Sequence, residues 1–131
     1  MIDAHAIIRD WILDQPAVTA LTASRVYAGE DVPPPGYKPG EGDALVFRVR
    51  GGLADYDDAL LVPSVQVKCY SETPKGTDTL YRAFYDACHL ARSAAILHAE
   101  AEVLGQQLRE PDTLWPFNLS YWIFLLRQEG D

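Results

Sequence analysis

"LVPSVQVKCYSETPKGTDTLYRAFYDACH", residues 61–89, decides how the chain is built. From Pro63 to Tyr70 it alternates strictly, with Val65, Val67 and Cys69 on one side and Gln66, Lys68 and Tyr70 on the other. A period of two marks a strand that turns one face to a core. After a polar break, Thr73 suits a helix cap and Pro74, with φ already fixed, a first helical position. From there to about residue 93, Leu80, Ala83, Phe84, Ala87, Leu90 and Ala91 recur at helical spacing. A strand hands over to a long amphipathic helix, and both bury a face in one core.

The same span holds both cysteines and one of the three histidines. Adjacent residues on a helix point about 100° apart, so Cys88 and His89 do not make a nucleophile–base pair by themselves. Cys69 ends the strand, while Cys88 stands roughly 21 Å along the helix at ~1.5 Å per residue. A disulfide needs Cα atoms within about 7 Å. Two reduced thiols acting as small core residues are therefore expected. The competing enzyme class is a small thiol-dependent hydrolase, which requires a depressed thiol pKa.

Working outward, "ALVFRVR" (44–50) alternates again: Leu45, Phe47 and Val49 on one face, Val46, Arg48 and Arg50 on the other. Gly51 and Gly52 begin a turn that carries the acidic run "DYDD" (55–58). Residues 3–14 read as a helix capped by Asp3, with Ala4, Ile8, Trp11 and Ile12 on one face and His5 at its edge. A short helical turn follows from Pro16, then a short strand "RVYAG". Residues 29–43 hold four of the nine prolines and four of the nine glycines, which predicts a long exposed loop or arm without regular structure. Residues 96–109 and 117–127 read as two strands joined by a turn in "EPDTLWPF". The expectation is one α+β domain over 1–131: a mainly antiparallel sheet of about four strands, two helices packed on one face, and a long Pro/Gly-rich loop.

Composition bounds the function. The 131 residues are 48% hydrophobic, and 11 basic against 19 acidic residues give a net charge of −8. That balance fits a folded domain and opposes general attraction to nucleic acid or anionic lipid. The start lacks a signal-peptide pattern and the longest apolar run, Tyr121 to Leu126, is too short to span a bilayer, so an intracellular soluble protein with no membrane partner is expected. No Cys-x-x-Cys exists, and His5, His89 and His98 lack metal-ligand spacing. "HAE" (98–100) has no Pro-Cys-x-x-Cys to complete a zinc-deaminase signature. A calcium loop counted from Asp55 fails at Leu60 and Gln66. The arm has no Gly-Lys-Ser/Thr phosphate loop, and Ser64 has no nucleophile-elbow context. No catalytic, cofactor-binding or metal-binding residue is expected.

What remains is surface. With the helices on one side of the sheet, Arg48, Arg50, Gln66, Lys68 and Tyr70 share the other, and Arg and Tyr are favoured at interfaces. In the last strand Trp122, Phe124 and Leu126 alternate with Tyr121, Ile123 and Leu125, so both of its faces need cover. These residues, with Pro34, Tyr37 and Lys38 of the arm, are the interface candidates.

The order of "IRDWILDQPAVTALTASRVYAG", "ALVFRVRGG", "PSVQVKCYSETPKGTDTLYRAFYDACH" and "PDTLWPFNLSYWIFLL" resembles the small tail-terminator, or tail-completion, proteins of long-tailed bacteriophages and prophages. The resemblance implies a non-enzymatic virion protein, assembled in the host cytoplasm, that caps the finished tail tube. It implies a self-assembled ring, often hexameric, with the tail-tube protein and a head-completion or neck protein as partners. DNA would pass through the lumen without specific binding. A head-completion or neck protein is the alternative within the same class. On this reading the arm reaches a neighbouring subunit or ring.

Overall fold

The span 61–89 forms the strand and helix expected of it, and the rest of the molecule is arranged around them. The computed structural model describes residues 2–54 and 60–127. In chain order they form helices α1 (Ala4–Leu13) and α2 (Pro16–Thr22), strand β1 (Val26–Ala28) and a 3₁₀ turn (Pro39–Glu41). Strands β2 (Ala44–Ala54) and β3 (Leu60–Tyr70), helix α3 (Pro74–Cys88), and strands β4 (Ile96–Arg109) and β5 (Pro116–Arg127) follow. The caps are the ones the sequence offers: Asp3 accepts from the Ala6 N–H at 3.1 Å, and Thr73 from the Gly76 N–H at 3.0 Å.

The fold is α+β, with a mostly antiparallel sheet in the order β1-β2-β3-β5-β4. Among the described residues it has five strands rather than about four, and three helices rather than two. The short strand read at "RVYAG" is β1, and it joins the sheet by pairing with β2 in parallel, Val26 opposite Leu45. Parallel neighbours cannot be joined by a tight turn and need a crossover of a dozen or more residues. Residues 29–43 supply that crossover.

Two expected boundaries move for identifiable reasons. Gly51 and Gly52 do not begin a turn; β2 bulges between Val49 and Gly52, and pairing resumes with Gly52 opposite Pro63. Gly52 has φ +131°, and a Cβ there would strike the Val62 carbonyl and Pro63, so only glycine fits the bulge. The acidic run 55–58, and with it the calcium-loop comparison, lies outside the described residues.

Helix α3 stops at Cys88, not near residue 93. The His89 ring stacks on Tyr85 at 4.8 Å and its Nδ1 accepts from the Ala101 N–H at 3.1 Å, where β4 bulges. The Leu90 N–H then donates to the Ala99 carbonyl at 2.6 Å. These bonds draw the chain off the helix toward β4 and leave Leu90 exposed at φ +65°. His5 plays the same part at the other bulge, its Nε2 accepting from the Val49 N–H at 3.0 Å.

The main core lies between the helices and one sheet face. Ile8, Ile12, Val18, Leu80, Phe84 and Cys88 meet Leu45, Phe47, Val65, Val67, Cys69, Trp122, Phe124 and Leu126. Phe84 stands edge-on to Trp122 at 5.0 Å, and the Trp122 Nε1–H donates to Ser120 Oγ at 3.0 Å. A buried indole is thereby satisfied within its own strand.

Candidate functional site

The other sheet face is divided in two, and the arm makes the division. Over one half the arm crosses from β1 to β2 and seals a second apolar cluster of Tyr37, Ala44, Val46, Tyr70 and Phe117. Tyr37 lies edge-on to Trp115 at 5.6 Å and 90°, and its hydroxyl donates to the Gly42 carbonyl at 2.7 Å. The stretch expected to hold no regular structure forms one 3₁₀ turn, Pro39–Glu41, and is otherwise held by side chains.

Charge ties down the arm's first residues. Asp31 Oδ1 accepts from Gln66 Nε2 at 3.0 Å and lies 3.6 Å from Arg48 Nε and 3.7 Å from Lys68 Nζ. The bond from Gln66 is the largest influence on the Asp31 carboxyl; burial opposes it, and the charges of Lys68 and Arg48 add to it, so the carboxyl is held below its ordinary value. Lys68 is only 8% exposed and reaches a second carboxylate, Glu110 Oε1, at 3.5 Å. The Tyr70 hydroxyl donates to that same oxygen. Burial first, and the Glu110 neighbour second, push the Tyr70 phenol far up. The buried ammonium is thus matched by two carboxylates and the face of Phe117, 4.8 Å from Nζ.

Of the interface candidates, Arg48, Arg50, Gln66, Lys68, Tyr70 and Tyr37 are brought together on this face. Gln66, Lys68, Tyr70 and Tyr37 are buried there by contacts within the chain. Arg48 is half-buried, Pro34 is half-buried in the arm, and Lys38 is exposed. Arg50 is exposed and donates to Gln66 Oε1 at 3.2 Å and to the Tyr121 hydroxyl at 3.3 Å. Trp122 and Phe124 lie on the opposite, helix-covered face at 0% exposure. Beyond Phe117 and Leu119, which belong to the arm-covered half, the residues of β5 that point to the far face are Tyr121, Ile123 and Leu125, all half-buried.

These three border the open half of the far face. Beside them lie Val62 on β3 and Val103 on β4, paired opposite Tyr121 and 46% exposed. Neither apolar cluster includes any of the five. Their alternation with Trp122 and Phe124 was visible in the sequence. The roles of Asp31 and Glu110 were not, because nothing local marks an acid in a loop as the partner of a lysine 37 or 42 positions away.

Chemistry elsewhere is sparse. Cys69 and Cys88 are free and fully buried, and burial pushes both thiols well above their ordinary value. A nucleophilic thiol needs the opposite shift and access to substrate. Among the described residues, no three His, Cys, Asp or Glu side chains cluster to hold a metal ion. No helix there is long and apolar enough to cross a membrane. A cleft of about 260 Å³ lies between the arm and the β4–β5 turn, with Tyr37 and Trp115 in its lining.

No family model matches the chain, and no curated protein matches it by sequence. A solved structure does: a chain of the "Virion of native gene transfer agent (GTA) particle" superposes with a TM-score of 0.68 at 15% identity. The match covers 92% of this chain and 91% of that one. At that identity the likeness is one of fold.

Proposed function

We propose that the chain is a structural protein of a phage-like virion that caps the completed tail tube and joins it to the head-completion, or neck, proteins. The observation that carries this reading is the fold shared, over nearly the whole of both chains, with a chain from a virion particle. The motif order resembling tail-terminator proteins supports the same class. The open half of the far face supports assembly, because Tyr121, Ile123, Leu125, Val62 and Val103 present apolar surface there, with Arg50, Ser64, His98 and Glu100 among and beside them. In this reading that surface lies between copies in a ring, through whose lumen DNA slides past a net-acidic protein. The buried, up-shifted thiols fit a protein that works by surface complementarity and carries out no reaction.

The test is native mass by light scattering on a sizing column over a range of concentrations, with purified tail-tube protein added in a second series. A closed ring, alone or on the tube, is expected. Ile123→Asp should prevent it while leaving the subunit folded. A monomer at every concentration that also fails to bind the tube would refute the reading.

A further inference from the structure

The cleft beside the arm is untouched by the proposed ring surface, and its lining has a definite chemistry. One part is apolar and rigid: Pro33, Pro34 and the right-angled pair Tyr37 and Trp115. Among the described residues the charged part of the lining is acidic, Glu110 and Asp112, with the Glu110 charge already countered by Lys68 at 3.5 Å. Glu110 Oε1 is held by Lys68 and Tyr70, while no hydrogen bond among the described residues reaches Oε2. Asp112 is exposed and has no ion pair among them.

Aromatic faces and carboxylates both favour a positive charge, so an anion is excluded. A purely apolar side chain would strip water from the carboxylates without replacing its hydrogen bonds. A long cationic side chain meets both demands, with its stem on the prolines and rings and its head at the carboxylates. Arginine answers better than lysine, because a planar guanidinium stacks on an indole and bridges carboxylate oxygens in the plane. We propose that this cleft is a socket for an arginine side chain presented by a partner protein other than this chain. The inference rests on the cleft alone and holds whether or not the chain forms rings.

The test is titration of the ¹⁵N-labelled full chain with N-acetyl-arginine amide, at low salt, to tens of millimolar. Saturable shifts confined to the Trp115 indole and the amides of Gly36, Tyr37 and Thr113 are expected. Asp112→Asn, which breaks no hydrogen bond or ion pair among the described residues, should weaken binding by about fivefold through loss of one charge-assisted contact. No saturable shift, or equal binding of uncharged N-acetyl-norleucine amide, would overturn the socket. Equal binding of N-acetyl-lysine amide would overturn the preference for arginine. Shifts spread over the whole acidic surface would reduce the effect to general charge attraction. Movement of the same signals with protein concentration alone would place a second copy in the cleft and overturn the separate partner.

Discussion

If the arm is a layer of the folded protein, replacing Tyr37 by Ala should cost far more than a loop substitution. Tyr37 is 6% exposed, covers Tyr70 and Phe117, stands edge-on to Trp115 and bonds the Gly42 carbonyl. Truncating a buried aromatic in a core costs about 3–5 kcal/mol. The Gly/Pro-rich arm can partly collapse into the gap, so the lower end, about 3 kcal/mol, is expected. With a urea m-value of about 1–3 kcal/mol per molar, the unfolding midpoint should fall by about 1–3 M at unchanged slope. Tyr37→Phe removes only the hydroxyl and should cost about 1 kcal/mol. A cycle with Trp115→Ala should leave a coupling of about 1 kcal/mol for the edge-on pair. Equilibrium urea denaturation followed by far-UV circular dichroism gives all three. A loss below about 0.5 kcal/mol for Tyr37→Ala is the range of ordinary surface changes, and would show that the arm does not pack on the sheet.

Four further outcomes are expected. Trp122→Ala should cost about 3–5 kcal/mol in the same denaturation assay, because the indole fills the centre of the main core. Gly52→Ala should destabilise the protein through both its positive φ and the collision with β3, read as a lowered thermal midpoint; an unchanged midpoint would argue against the bulge. Native Cys69 and Cys88 should react with a disulfide reagent only as fast as the protein opens, whereas rapid labelling would revive a thiol chemistry. Asp31 contributes stability that is present above its ordinary pKa of 3.8 and is lost as pH falls through its lower folded value. Acid titration of stability should therefore be shallower for Asp31→Asn than for the wild type below about pH 4, and parallel curves would show that Asp31 does not hold the arm to Gln66, Arg48 and Lys68.

Local pattern carried much of the fold. The alternation at 44–50 and 63–70, the Thr73–Pro74 helix start and the two long C-terminal strands each stand where their residues put them. What local pattern could not carry was set by distant partners. Leu90 and Ala91 continue a helical period, yet His89 finds the bulge amide of Ala101 and the helix ends. The Gly51-Gly52 pair reads as a turn, yet an extended partner at Val62 and Pro63 keeps it in a strand. The arm's composition says only that no α-helix or strand will form there. Whether it hangs free or lies on the sheet depends on Tyr37 meeting Trp115, 78 positions away, and on Asp31 meeting Lys68. For the candidate surface, alternation in β5 separated two sets of apolar side chains but not which set the helices would cover.

The edges of the sheet limit how such a molecule can grow. A free edge is a template for another strand, and fourteen residues of β4 would offer a long one. Its register is broken between Ile96 and His98, again between Ala101 and Val103, and once more before Gln106, while Glu100 and Glu102 lie exposed along it. The opposite edge, β1, is three residues long. Among the described residues an incoming strand therefore finds only short unbroken runs of backbone at either margin, which disfavours open-ended fibre growth by sheet extension.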